Sequence, residues 1–375
     1  MNKIRVGVIF GGRSKEREIS FAGGRTVYDN LNKSIFEAVP IFVDSWGNFV
    51  LLDWQFIYKG SIRDFYPPVE FLPAESKIQL YAENIGNISI ETQTEMLRKI
   101  GKPLMISDLA SIMDIAFLCL HGPYGEDGKI QGLLEYLQIP YTGSGILPSA
   151  IGIDKSVQKQ LMVDAGFNSP PFFSIERNKI VDQKNIEAVW NRAKNEVGFP
   201  MVIKPANQGS SIGVTILSDD SFSKFYDAVL KAFFIVKVSP QEWNNKSTIE
   251  KVEELRSMTD IREGIGFPLQ YKEQVIYNTD HLTEILNTNS LSNTDLILES
   301  LDGEDTVLIE GFIEGKEFSC IVVENELGDS IALPPTEIRK GKELFDYRSK
   351  YLPGLSRKIT PIQIDRKSTR LNSSH

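Results

Sequence analysis

Apolar residues fall first into a nearly continuous run at residues 4–10, IRVGVIF, the pattern of a strand covered on both faces. Gly11-Gly12 follows as a tight turn, and Ser14 stands where it can cap a helix running to about Leu31. Strand, turn and helix make one βα unit. AVPIFV at 38–43 reads as a second strand, and IAFLCL at 115–120 as a further, fully apolar one. Residues 46–108 between them give short strands and turns without a regular period. Ligands of open α/β sheets gather at the carboxyl ends of the strands, and there the chain places Gly11-Gly12 and His121-Gly122. His121 ahead of a flexible glycine loop is therefore a functional candidate, with a structural histidine capping a strand as the alternative.

Residues 154–166 have a helical pattern, after which Pro170-Pro171 interrupts the chain and a second set of elements begins. A helix at 185–197 leads into VIKPANQGSSIGV at 202–214, where apolar runs flank a small polar loop and predict a β-hairpin. Lys204 ends the first run, and Gly209 and Gly213 let the loop backbone approach a ligand closely. Amide, hydroxyl and ammonium donors in one loop suit phosphate oxygens; an ordinary hairpin with an exposed lysine accounts for the same residues. Another helix spans 219–234. Residues 236–305 are then rich in Asn, Ser, Thr, Glu and Lys, with helical fragments such as 247–256 but no chemical constellation, and predict a surface insertion. Residues 306–323 give two strands joined through a short turn that Glu310 and Glu317 flank. A strand-end glutamate that is merely solvated is the alternative for each.

Composition narrows the class. With 375 residues, 41% hydrophobic and 24% charged, the chain has the make-up of a globular protein of two or three domains. Net charge is −9, and the absence of a long basic run argues against nucleic acid or an acidic membrane surface as the main partner. Cys119 and Cys320 both lie inside apolar runs and are expected to be buried free thiols, which suits a reducing cytoplasm. The first apolar run is too short for a signal-peptide core, and no run approaches membrane-spanning length.

Four motifs together resemble the D-alanine–D-alanine ligases of the ATP-grasp superfamily. They are GGRSKEREIS at 11–20; HGPYGEDGKIQGLLEYLQIPYTGSG at 121–145, with Asp154-Lys155 close behind; IKPANQGSSIGV at 203–214; and LIEGFIEGKEFS at 308–319, followed by LFDYRSKYLPG at 344–354. The resemblance implies an α/β chain. An N-terminal open parallel-sheet, Rossmann-like (pre-ATP-grasp) domain at 1–154 would precede an α+β ATP-grasp fold, its central part at 155–313 carrying the 236–305 insertion. The start of a C-terminal part would follow at 314–363, with a lid loop at 341–354.

In such ligases ATP lies between two sheets, and the resemblance assigns its phosphates to Lys155, Lys204 and the loop of Gly209, Ser210 and Ser211. Lys350 would reach the γ-phosphate as the lid closes, Glu310, Gly311 and Ile313 would meet the adenine, and Glu317 the ribose. Glu16 would hold the ammonium of the first D-alanine in a hydrogen-bonded group with Ser210 and Tyr351, and His121 would lie near that substrate's carboxylate. Tyrosine at 351, where the related D-alanine–D-lactate ligases typically carry phenylalanine, favours an amine nucleophile; a packed loop aromatic is the alternative. The implied reaction phosphorylates one D-alanine to an acyl phosphate that the amine of a second attacks. It would serve cytoplasmic peptidoglycan precursor synthesis, with ATP and D-alanine as partners, Mg²⁺ (or Mn²⁺) as the metal and a homodimer as an open possibility.

The family continues after the lid with an Arg-x-Asp strand and a Glu-x-Asn strand that supply metal ligands and an oxyanion-stabilising arginine. Here the only later candidates are Asp365 and Arg366, in the wrong order, and residues 366–375 lack strand periodicity. The expectation is therefore a C-terminal part that is incomplete, a non-native tail at 364–375, no metal ligands within the chain, and negligible turnover. An ATP-grasp carboxylate–amine ligase of other specificity and a catalytically inactive nucleotide-binding fragment stand as the alternatives.

Overall fold

The structure is a computed structural model that describes residues 3–72, 80–180, 183–340 and 356–363. The chain forms two compact units, one of residues 1–209 with 213–311 and one of 210–212 with the chain from Phe312 onward.

The first unit begins with a five-stranded sheet of β1 (Ile4–Gly11), β2 (Phe36–Val43), β3 (Phe49–Leu52), β4 (Gly101–Leu104) and β5 (Ile115–Leu118), in the order β4-β3-β2-β1-β5. β1 runs parallel to β2 and β5 on either side, as the apolar runs predict. Alternation sends Val6, Val8 and Phe10 to one buried layer and Ile9 to the other. The sheet is not parallel throughout, because residues 46–108 contribute β3 and β4, which are antiparallel to their neighbours. The cause is the turn after β2: the Asp44 carboxylate accepts the backbone N–H groups of Trp46 (2.9 Å) and Asn48 (2.8 Å), and so short a connection can only reverse the chain.

Helix Arg17–Asn30 follows β1, but Ser14 does not cap it. The Ser14 hydroxyl instead accepts the Glu16 N–H at 3.2 Å, opening a turn that leaves Glu16 at the cap position. Ser20 of this helix accepts the Gly11 N–H at 2.8 Å, and Gly24 leaves room for the Phe10 ring, so the strand end is tied to the helix behind it.

Next come β6 (Phe172–Glu176), β7 (Met201–Pro205) and β8 (Thr215–Leu217), then β9 (Ile235–Val238), β10 (Leu269–Tyr271), β11 (Gln274–Ile276) and β12 (Leu296–Ser300), then β13 (Thr306–Gly311). An antiparallel sheet in the order β6-β13-β7-β8 contains the expected hairpin, with Val202 opposite Ile216. Helices Gln183–Glu196 and Phe222–Ala232 cover it, the Trp190 and Phe225 rings meeting at 4.9 Å.

Segment 236–305 is more than a surface insertion. It builds an antiparallel sheet, β11-β10-β12-β9, with helices Pro240–Asn245, Thr248–Thr259 and Thr279–Thr288, and it buries Trp243, Leu269, Ile276, Leu282 and Leu298. Its polar composition is partly helix-cap chemistry. Ser239 caps the first helix, Ser247 forms a capping box with Glu250 in the second, and Asn278 caps the third. β12 buries Leu296 and Leu298 on one face while exposing Ile297 on the other.

The second unit holds β14 (Glu317–Ser319), β15 (Val322–Glu324), β16 (Ser330–Ala332), β17 (Thr336–Lys340) and β18 (Ser356–Ile359), in sheets β14-β17-β18 and β15-β16. The two strands expected across residues 306–323 thus belong to different sheets. Cys119 is buried as expected, but Cys320 is exposed. The run FSCIVV is divided between two small sheets, and Phe318, Ile321 and Val322 beside the cysteine are exposed as well.

Candidate functional site

Three loops of the first unit meet at Glu16. The turn after β1 brings in the glutamate, which is buried. The loop after β5 brings Gly122, whose left-handed backbone (φ +66°) holds a position where a Cβ would come within 2.9 Å of Glu16 Oε2. The β7–β8 loop brings Gly209, and there a Cβ would overlap the same carboxylate. The sequence-predicted Glu16, His121 and Gly209 are therefore gathered within this unit. His121 Nδ1 lies 3.6 Å from Glu126 Oε1, and Glu126 Oε2 accepts the Gly122 N–H at 2.7 Å. The Glu126 carboxylate beside it raises the His121 pKa above its ordinary value against a smaller opposing effect of burial. Arg17, beside Glu16, makes a buried ion pair with Glu83 and stacks over Tyr81 at 4.7 Å, which anchors the first turn of the helix.

Lys155 opens helix Lys155–Asp164, whose N-cap is the Asp154 side chain accepting from Ser156 (2.9 Å) and Val157 (3.1 Å). Its ammonium donates to the carbonyls of Ala206 (3.2 Å) and Gln208, which docks the helix start on the VIKPANQG loop. Burial first, and then the charge of Lys204, push its pKa down to about 8.

Lys204 lies opposite Leu308 on the neighbouring strand, so it shares a face with Glu310 two residues along. The two form an ion pair, and Lys159 approaches the other Glu310 oxygen at 2.6 Å. Burial would raise the Glu310 pKa, but Lys204 and Lys159 outweigh it and hold the carboxyl below its usual range. Lys159 is a residue that the motif reading missed. Its signal is the spacing from Lys155, one helical turn on and so on the same face.

Gly311 closes β13 in the first unit. Ser210 and Ser211 belong to the second unit and have left-handed backbones (φ 51° and 60°), uncommon without glycine and costing on the order of 1 kcal/mol each. Ile313 of that unit is exposed, and Glu317 begins β14 opposite Ile338. Lys350, Tyr351 and the lid loop 341–354 lie outside the described residues. Among the described residues no group of three or more His, Cys, Asp or Glu side chains could hold a metal ion, and no helix is long and apolar enough to cross a membrane.

Comparison with known proteins gives a consistent picture. The family described as D-ala D-ala ligase N-terminus matches residues 5–144, and that described as D-ala D-ala ligase C-terminus matches 161–238 and 244–372. A D-alanine–D-alanine ligase of Bacillus cytotoxicus is 34% identical over 219 residues, 58% of this chain and 55% of the relative. One of Geobacillus thermodenitrificans is 37% identical over 213 residues, 57% of this chain and 53% of the relative. The chain thus spans about half the length of the curated relatives it matches. Among solved structures, the VanG D-Ala:D-Ser ligase of Enterococcus faecalis matches with a TM-score of 0.58 at 22% identity, covering 99% of this chain and 80% of that one. The D-alanyl-alanine synthetase A of Vibrio cholerae matches with a TM-score of 0.55 at 17% identity, covering 99% and 78%. At such identities these two speak to the fold.

Proposed function

Because the chain belongs to the D-alanine–D-alanine ligase family, we propose that it binds ATP and D-alanine and serves the ATP-dependent joining of two D-alanines, a step of peptidoglycan precursor synthesis in the cytoplasm. The observation that carries this reading is one loop, residues 206–209. Its Ala206 and Gln208 carbonyls receive Lys155, and its Gly209 is pressed against Glu16. Lys155, a cation suited to a polyphosphate, and Glu16, a buried carboxylate suited to an ammonium, both meet these few residues, which supports the reading.

A carboxylate is a poor electrophile at neutral pH, so it must first take the γ-phosphoryl group. The carboxylate oxygen of the first D-alanine forms the new P–O bond and ADP leaves. The free amine of the second D-alanine then adds to the acyl carbonyl, loses a proton and expels phosphate, leaving an amide. The chain's own share is positioning and charge. Lys155 and Lys204 would donate to phosphate oxygens, with Lys204 passing from Glu310 to the nucleotide while Lys159 keeps Glu310 neutralised. Glu16 would hold the substrate ammonium, and His121, favoured in its charged form by Glu126, would face the substrate carboxylate. Ser210, Ser211, Ile313 and Glu317 of the second unit, and Lys350 and Tyr351, are assigned to this reaction by resemblance alone. Mg²⁺ would supply charge neutralisation to such chemistry, but the described residues present no carboxylate set that fits it.

The test is D-alanine binding in wild type and Glu16→Gln, measured by calorimetry in the presence of ATP. Binding of D-alanine in preference to L-alanine, lost in the variant while ATP still binds, supports the reading. Equal affinity in the two proteins, or no preference between enantiomers, contradicts it.

A further inference from the structure

Segment 236–305 ends in a turn that touches both sides of the site. Asp302 makes an ion pair with Arg13, three residues before Glu16, and the Arg13 guanidinium lies 5.1 Å from the centre of the Tyr124 ring. Glu304, almost fully buried, accepts from the backbone N–H (3.3 Å) and side-chain amide (3.4 Å) of Asn207, two residues before Gly209. The same segment grips the Glu16 loop a second time. The ammonium of buried Lys15 donates to the Ile265 carbonyl at 3.0 Å and sits 4.4 Å over the Phe234 ring. A cleft opens among these loops, lined by Arg13, Tyr124, Asp127, Gln208, Ile265 and Asp302.

The turn is itself fixed from below. Arg177 donates to the Glu304 carbonyl (2.9 Å), the Phe233 carbonyl (2.7 Å) and the Glu299 carboxylate (2.6 Å), and a Cβ at Gly303 would collide with that guanidinium. Arg177 thereby ties the Glu304 carbonyl to Glu299 of β12 and to Phe233, which anchors the turn to the sheet behind it. We propose that Asp302 and Glu304 are positioning residues: from one anchored turn they hold the loop that carries Glu16 and the loop that carries Gly209, so that the amino-acid and nucleotide sides of the site are set together. The consequence for ligands is thermodynamic coupling. A ligand that orders one loop lowers the ordering cost of the other, and each ligand then tightens the other's binding. This consequence rests on the ligase reading; the mechanical bridge does not.

Two measurements separate them. The first is hydrogen exchange of the full chain without added ligand, comparing wild type with Asp302→Asn and Glu304→Gln. Losing one charge-assisted contact should speed exchange roughly tenfold in amides 11–16 for Asp302→Asn and in 206–209 for Glu304→Gln. Helix Lys129–Tyr136 serves as the unchanged internal reference. Because Arg13 and Asp302 are both partly exposed, the pair can be reversed: Arg13→Asp and Asp302→Arg should each speed exchange in 11–16, and their combination should restore protection. Unchanged exchange in Asp302→Asn and Glu304→Gln, or no restoration by the reversed pair, overturns the bridge.

The second measurement is the ratio of ATP affinities with and without D-alanine. It should exceed one in wild type and fall towards one in Glu304→Gln, while each ligand still binds alone. A ratio equal in both proteins overturns the positioning role. If wild type binds neither ligand although exchange behaves as expected, the bridge stands and the ligase reading falls.

Discussion

Lys204 and Glu310, diagonal neighbours on antiparallel strands β7 and β13, form an ion pair that Lys159 completes from the opposite oxygen. The lysine at the end of VIKP is therefore held by a specific carboxylate, and a phosphate that recruits it must compete with that carboxylate. Replacing Glu310 by glutamine should release both lysines. The expected outcome is tighter ATP binding by several-fold together with a stability loss of about 1–3 kcal/mol, since two neighbouring cations are left without their counter-charge. Calorimetric titration and chemical denaturation of Glu310→Gln check the two effects independently. Weaker nucleotide binding would mean that Glu310 meets the nucleotide directly, as the resemblance to the ligases implies.

Lys155 supplies a pH signature. Its folded-state pKa of about 8 lies below the ordinary 10.5, so between those values the unfolded chain binds the extra proton. This group's contribution to stability therefore increases as pH rises from about 8 towards 10.5. Nucleotide binding has the opposite dependence, because the phosphates need the charged form, and ATP affinity should fall as pH rises through about 8. Titrations at pH 7, 8 and 9 should show this decline in wild type. Lys155→Met should bind weakly at all three, and Lys155→Arg should hold its affinity across them.

Much of this arrangement can be read in the chain, and the exceptions have specific causes. The parallel pairing of β1 with β2 and β5 follows from IRVGVIF, AVPIFV and IAFLCL, because only a strand covered on both faces can be apolar at successive positions. The antiparallel edge is hidden, since Asp44 governs it through two backbone hydrogen bonds that leave no periodic trace. Averaging also conceals segment 236–305, where Ser239, Ser247 and Asn278 are polar because they cap helices. In the site, glycine-flanked loops mark Glu16, His121 and Gly209, whereas the Lys159 contact depends on helix phase and a cross-strand register that only folding sets.

Gly209→Ala tests how closely the loops meet. The added methyl would overlap the Glu16 carboxylate, so the glutamate must turn away or the loop must retreat. D-alanine affinity should drop at least about tenfold, the worth of one charge-assisted hydrogen bond. Global stability should fall as well, because the carboxylate that the methyl displaces is buried. Parallel D-alanine titration and thermal melting decide it, and unaltered D-alanine binding would count against Glu16 as the ammonium partner.

Trp243→Ala tests segment 236–305 as a folded body. Trp243 is 1% exposed, and its indole N–H donates to Asn287 at 3.1 Å. Removing it should cost about 3–5 kcal/mol, the range for deleting a buried aromatic side chain. A loose surface insertion would lose almost nothing. Urea denaturation followed by exchange within residues 236–305 distinguishes the two.

The most direct test of the central claim is calorimetric titration of ATP into the chain with D-alanine present, in wild type and in Lys204→Ala. The account predicts one ATP per chain, bound more tightly with D-alanine than with L-alanine. The Lys204→Ala variant should lose affinity by at least about tenfold, the cost of one charge-assisted phosphate contact. Equal ATP affinity in the two proteins, or an affinity indifferent to D-alanine, would contradict it.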